Sequence, residues 1–253
     1  MTVEPLRTGI ALAALLVCAL AVMTLGGLGY RREMLVSAAR ALVQLVIVAL
    51  LIAWIFTHPQ AAALYLGIMV VVAAYTSNRR IGGDRRDFVG VLLAILLGAS
   101  ATVLIVTVTG ALPFDAQSLL PFSAQMIGGA MTTASLAGVR FRDDVNDQMT
   151  TFQGYVGLGA SYRQAGREFA KRASEKALFP TMDQTKSAGL VTLPGAFVGM
   201  LLGGATPLQA AQVQLIVLVG LLLVQAISAL LTTRLISPLP PGLGRSISAT
   251  VQA

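Results

Sequence analysis

Charge is what this 253-residue chain has least of: Asp, Glu, Lys and Arg together make up 11% of it, against roughly 25% in an average soluble domain. A surface in water needs charge, so most of this surface does not meet water. A soluble enzyme, a disordered chain and a disulfide scaffold are excluded. Cys18 is the one cysteine, so no internal disulfide can form, and with one histidine, His58, the chain cannot build a Cys/His metal cluster. Lysine is limited to Lys171, Lys176 and Lys186, which follow Ala, Glu and Thr. A Gly-x-x-x-x-Gly-Lys loop is therefore absent, and the chain cannot cradle ATP phosphates in the usual way.

Apolar sequence is abundant, at 56% of residues with a mean hydropathy of +0.78, and it comes in continuous runs. Continuous runs favour membrane-spanning helices over a β-barrel, whose strands alternate in short segments. The expected fold is all-α: a polytopic integral membrane protein of about seven transmembrane helices, 1–253 forming one transmembrane domain. With about 20 apolar residues needed per crossing, the segments are Gly9–Gly29, Met34–Phe56, a short Ala61–Ser77, Phe88–Gly110, Leu119–Val139, a short Ala188–Gly204 and a long Leu208–Ile236. The first could be read as a signal peptide, but it lacks a clear small-x-small cleavage site and is followed closely by Arg31 and Arg32, which favours a retained span.

The basic residues give an orientation. Of 18 Lys and Arg, 16 fall at Arg31–Arg32, Arg79–Arg86, 140–187 and the tail from Arg234, and the alternate loops hold none. Positive loops resist translocation, so the amino terminus is expected outside and the carboxyl terminus in the cytoplasm of a cell (plasma or inner) membrane. The formal net charge of +7 is then a topology signal, and no nucleic-acid partner is expected.

Most of the polar chemistry lies in 140–187, too short for a catalytic domain with its own core. Residues Asp143 to Leu158 are expected to form one helix, Leu158-Gly159-Ala160-Ser161 to break it, and Ser161 with Gln164 to open a second through a capping box. In that second helix Tyr162, Phe169, Ala173 and Ala177 share a face, with Arg163, Arg167, Lys171 and Lys176 on others. Such a pair of helices can lie on anionic lipid headgroups or dock a soluble partner.

Within the spans, Arg40 lies six residues into the second, with Gln44 one turn further on the same face. Three readings stay open: snorkelling to headgroups, pairing inside the bundle, or lining a path. Pro194-Gly195 interrupts the short sixth segment, which is kinked, re-entrant or simply packed through small residues. Gln125, Met126, Gly128, Gly129 and Met131 bring an amide and thioethers to the fifth span. Thioethers suit soft ions, though methionine there ordinarily packs, and no metal site is assigned. Asp183 and Lys186, after Pro180 and Thr181, look like an ordinary helix start capped by Thr181.

The run Leu158-Gly159-Ala160-Ser161, then Arg163-Gln164-Ala165, resembles the cytoplasmic loop by which ABC transporter permeases contact their ATPase. Ala177-Leu178-Phe179-Pro180-Thr181-Met182-Asp183-Gln184-Thr185-Lys186, Gly189 to Gly195, the later Gly199, Gly203, Gly204, Pro207 and Gln214, and Arg40 to Leu45 resemble the FetB family of iron-export permeases. The resemblance implies a homodimeric permease with a separate ABC ATPase subunit, which carries the ATP and Mg; this chain holds no cofactor. It implies ATPase coupling through Gln153, Gly154, Leu158, Gly159, Ala160, Ser161, Gln164 and Ala165, transmission through Pro180, Asp183 and Lys186, and a path near Arg40, Gln44, Gln125, Met126, Gly129, Met131, Pro194 and Gly195. Three positions depart from the family pattern. Gln153-Gly154 stands where an acidic residue precedes the loop glycine, Gly128-Gly129 where Gly-Asn is usual, and Glu175 where an arginine is usual. The rivals are a secondary transporter or channel, against which the absence of Asp and Glu from the seven segments counts, an ABC permease for a non-metal substrate, a membrane enzyme and a small membrane scaffold.

Overall fold

The structure, a computed structural model, describes residues 4–239, and among them every regular element is a helix. Two compact units divide after Pro59. The first holds α1 (Pro5–Leu25) and α2 (Arg31–Thr57), each long and apolar enough to cross a membrane. Gly27, at φ +67°, turns the chain between them, a conformation open to glycine at no steric cost. His58 closes α2 with its ring stacked on Trp54 at 4.9 Å.

The second unit holds α3 (Ala61–Ile81), α4 (Arg85–Val108), α5 (Ala116–Asp147), α6 (Met149–Gly157), α7 (Tyr162–Ala165), α8 (Arg167–Ser187), α9 (Gly195–Leu202) and α10 (Pro207–Leu235). Local chemistry sets several of these ends. Asp84 and Asp87 form a reciprocal capping box at the start of α4, Asp115 accepts from Ser118 N–H at 2.7 Å to start α5, and Thr206 with Gln209 starts α10.

Packing against α10 organises this unit. Gly98 of α4 lies against Val224 and Ser228, and Gly90 against Leu235, so α4 runs antiparallel to α10. Gly129 of α5 meets Leu221 and Gln225, and Gly138 meets Ile81 of α3 and Ile236, so α5, α3 and α10 run in the same direction. At each of these glycines an added Cβ would lie under 3.0 Å from a neighbour. Small residues let these helices approach, as expected where lipid offers no hydrophobic drive to association.

Five helices are long and apolar enough to cross a membrane among the described residues: α1 from Leu6, α2, α3, α4 and α10. The expected count of seven is therefore not reached on length and composition. The fifth segment, Leu119–Val139, is helical throughout, inside the 32 residues of α5, but Ser123, Gln125, Thr132, Thr133 and Ser135 dilute its apolar character. The sixth, Ala188–Gly204, is not one crossing helix. Its only helix is α9, of 8 residues, preceded by a tight turn in which Gly189 N–H donates to Thr192 O at 2.8 Å.

Three local expectations are also corrected. The helix expected from Asp143 to Leu158 is two, since α5 continues to Asp147 and breaks at Gln148 before α6. The helix opening at Ser161 is a four-residue turn, α7, and Gly166 separates it from α8. Thr181 caps nothing, because Pro180 and Thr181 lie inside α8. There the Thr181 hydroxyl donates to Gln225 Oε1 of α10, a partner that holds α8 on the bundle through the proline.

Candidate functional site

Arg79, Arg80, Arg85, Arg86, Arg140 and Arg142 cluster at one end of the second unit, hereafter its basic end. At its centre is an ion pair that no local sequence signal announces. Arg142 Nη2 donates to Asp87 Oδ2 at 2.5 Å, with the side chains only 5% and 3% exposed. Arg142 Nη1 donates to Ile81 O at 2.8 Å and Nε to Ser237 O at 3.4 Å. Asp87 Oδ1 accepts from Ser237 N–H at 2.8 Å, and Oδ2 from Asp84 N–H at 3.3 Å. One pair thus ties α3, α4, α5 and the segment after α10, and each charge has further hydrogen bonds, as a buried pair needs.

The α6–α8 segment is built onto this end. Phe152, fully buried, sets its ring 6.1 Å from Tyr162 and 6.4 Å from Phe169. These rings join Phe141, Val145 and Ala165 in the main apolar core. The turn beyond is exposed. Gly159 has φ +93°, a conformation that strains any residue with a Cβ, and Leu158 beside it is 88% exposed. Ser161 and Gln164 cap one another as their spacing predicts. Arg163 Nη2 donates to Arg234 O at 2.9 Å and Arg140 Nη1 to Lys176 O, which fixes the segment to α10 and α5. Between Ser161–Lys171 and Leu230–Pro238 opens a cleft of about 1390 Å³, with Asp84, Arg86 and Tyr155 on its wall. On α8 the Arg172 guanidinium is held above its ordinary range by its hydrogen bond to Glu168 and by that carboxylate's charge.

The residues singled out as coupling sites fall on this one surface: Gln153, Gly154, Leu158, Gly159, Ser161 and Gln164 are exposed, Ala160 half-buried and Ala165 buried. Those singled out as a path do not come together. Arg40 and Gln44 are exposed on α2, and no side-chain hydrogen bond or ion pair to either occurs among the described residues. Met126 is fully buried under Gly220, and Gly129 packs against Leu221 and Gln225, whereas Gln125 is exposed and Met131 half-buried. Pro194 and Gly195 sit at the start of α9, where Gln214 Oε1 accepts from Phe197 N–H at 3.2 Å. Pro180, Asp183 and Lys186 are exposed on α8, and Asp183 with Lys186 forms a 3.8 Å ion pair. Among the described residues no three His, Cys, Asp or Glu side chains gather to hold a metal ion.

Sequence reasoning missed Asp87, Arg142, Gln225 and Thr233. Thr233 shares a 3.0 Å hydroxyl contact with Ser174 of α8. A signal for Asp87 lay in the Asp84-x-x-Asp87 spacing of a capping box; for Arg142, bonded 55 positions away, there was none.

Several long apolar helices, packed through glycines and capped at one end by basic residues, define a multi-pass helical membrane protein. The model of the uncharacterised protein family UPF0014 matches residues 7–238, and the chain belongs to that family. It is 34% identical over 231 residues to the "UPF0014 membrane protein STAR2" of Oryza sativa subsp. japonica, covering 90% of this chain and 81% of the relative. To the "Protein ALUMINUM SENSITIVE 3" of Arabidopsis thaliana it is 33% identical over 230 residues, covering 89% and 84%. To the "Probable iron export permease protein FetB" of Escherichia coli (strain K12) it is 28% identical over 206 residues, covering 81% and 80%. The resemblance read from the Pro-Thr-x-Asp and Leu-Pro-Gly motifs thus extends along the chain. No solved structure gives a significant match.

Proposed function

We propose that the chain is the membrane permease subunit of an ABC transporter and exports a metal ion, iron being the first candidate. It works as a homodimer in the cell membrane, its amino terminus outside and its basic end in the cytoplasm, with two separate ATPase subunits that carry ATP and Mg. The observation that carries this reading is the exposed turn Gly157–Gln164, capped by Ser161 and bedded on Phe152 and Phe169. A load applied to Leu158 would pass into α10 through Arg163 and, by way of α8, into α5 through Arg140, since those side chains bond across the elements concerned.

ATP-driven closure of the partner dimer would move this turn, and the helices would rearrange between two packed states around a central route. With no P-loop in its sequence, the chain would draw on ATP hydrolysis by another polypeptide. Metal export rests on the FetB relative, whose printed name gives iron export.

The test is purification of the tagged chain from membranes, identification of any ATPase that accompanies it, and hydrolysis in lipid. A companion ATPase, lost when Gly159 is changed to Ala, is the expected result. Its absence would remove the permease reading. Cells lacking the protein should retain more iron under iron load, and unchanged content of iron and of other metals would remove the cargo while leaving the permease class.

A further inference from the structure

α8 is too polar to be read as a span, yet its second half lies alongside α10, a helix apolar enough to cross a membrane. Ser174 bonds Thr233 near the Leu235 end of α10, and Thr181 bonds Gln225, further in. Ala177 shares a small core with Ala137 of α5 and Ala229 of α10. These pairs fix an antiparallel register, and extended by one turn it sets Asp183 level with Leu223 and Lys186 level with Gly220. At 1.5 Å per residue that is about 18 to 22 Å from the Leu235 end of α10 and about 20 to 24 Å from the Pro207 end. In a hydrocarbon layer about 30 Å thick, both charges stand near its middle. The expectation that the membrane crossings carry no carboxylate came from placing the sixth crossing at Ala188, and this register moves its start into α8.

Asp183 and Lys186 point away from α5 and α10. Their side chains are 74% and 77% exposed, and the 3.8 Å ion pair is their one mutual contact. Charges at that depth do not face lipid; they face a water-filled cavity or another protein surface. A lysine stem is too short to reach headgroups from there. The backbone gives the same sign, because Gly189–Thr192 and Pro194 interrupt the helices just beyond Ser187. Non-helical backbone at membrane depth is tolerated only where protein or water meets it.

We propose that the α8 face bearing Asp183 and Lys186 lines a water-filled path, and that Asp183 is the charged ligand a cation meets on the way. Lys186 is its counter-charge while the path is empty. The cation role rests on the permease reading above; the aqueous face does not.

The test uses the full chain in native membranes with Cys18→Ala as background. Lys186→Cys is exposed to a membrane-impermeant maleimide from each side, and Val219→Cys, an exposed apolar α10 position at similar depth, serves as the comparison. Position 186 is expected to label at least tenfold faster than position 219. Equal, slow labelling would overturn the aqueous face, with labelling after denaturation in detergent confirming that both cysteines are present. Asp183→Asn is then expected to lower cellular metal export at least tenfold while the companion ATPase still co-purifies. Undiminished export would overturn the cation role. Loss of the ATPase from the unsubstituted chain would instead remove the permease reading and leave the labelling result standing.

Discussion

Replacing Asp87 with Ala should be the most damaging single change at the basic end. It leaves the Arg142 guanidinium buried with only Ile81 O and Ser237 O as acceptors, and it strips Ser237 N–H and Asp84 N–H of a carboxylate. Removing one partner of a buried pair costs about 3 to 5 kcal/mol. At about 2 to 4 °C per kcal/mol for a chain of this size, the melting temperature should fall by about 6 to 20 °C. The assay is thermal melting of the purified protein in one detergent at one lipid ratio, with aggregation followed by size-exclusion fluorescence. Arg7→Ala is the comparison, because it breaks an ion pair with Glu4 whose side chains are 83% and 62% exposed, worth about 0 to 1 kcal/mol. Adding Arg142→Leu to Asp87→Ala removes the stranded charge, and the double variant should melt higher than Asp87→Ala alone. If Asp87→Ala melts within about 2 °C of the unsubstituted protein, or if the second change lowers it further, the pair does not hold these helices together.

Gly98→Ala should lower the melting temperature, since the new methyl would meet Ser228 Oγ at 2.8 Å and the Val224 carbonyl at 3.1 Å, at an overpacking cost of about 1 to 3 kcal/mol. Gly128→Ala, with nothing within 4 Å, should leave it unchanged. Thr181→Val strands the buried Gln225 Oε1 and should cost about 1 to 3 kcal/mol, seen as a lower melting temperature and faster proteolysis in α8. Ser161→Ala removes the cap of α7, worth about 0.5 to 2 kcal/mol locally. It should show as faster hydrogen exchange at Tyr162–Gln164 with little change in global melting.

The turn at Gly159–Ser161 was legible because its chemistry is local: Ser161 and Gln164 are three residues apart, and the cap forms wherever that spacing meets a free helix end. The ends of α4 and α10 were close to expectation for similar reasons, with apolar runs stopping at charge or at Thr206-Pro207. Arg142 read only as one more basic loop residue. Its meaning depends on Ile81 and Asp87 from one distant stretch and Ser237 from another converging on it, which no window of sequence contains. α8 misled for a different cause. Pro180 and Thr181 suggested a helix start, but α8 runs through them and presents Ala173, Ser174, Ala177 and Thr181 to its neighbours, a face that packs by size and hydroxyl pairing. The fifth segment, Leu119–Val139, was read from its apolar residues and is helical throughout, although its polar content keeps α5 out of the set apolar enough to cross a membrane.

The residues after α10 are stitched in as firmly as any helix. Ile236 and Leu239 are buried, and Ser237 offers both its amide and its carbonyl to the Asp87–Arg142 pair. A four-residue strap without secondary structure therefore acts as the latch on a bundle of long helices. An engineered carboxyl-terminal junction, whether an affinity tag, a fluorescent fusion or a tether to an ATPase, belongs beyond Leu239, because a cut a few positions earlier would unlock the first turn of α4.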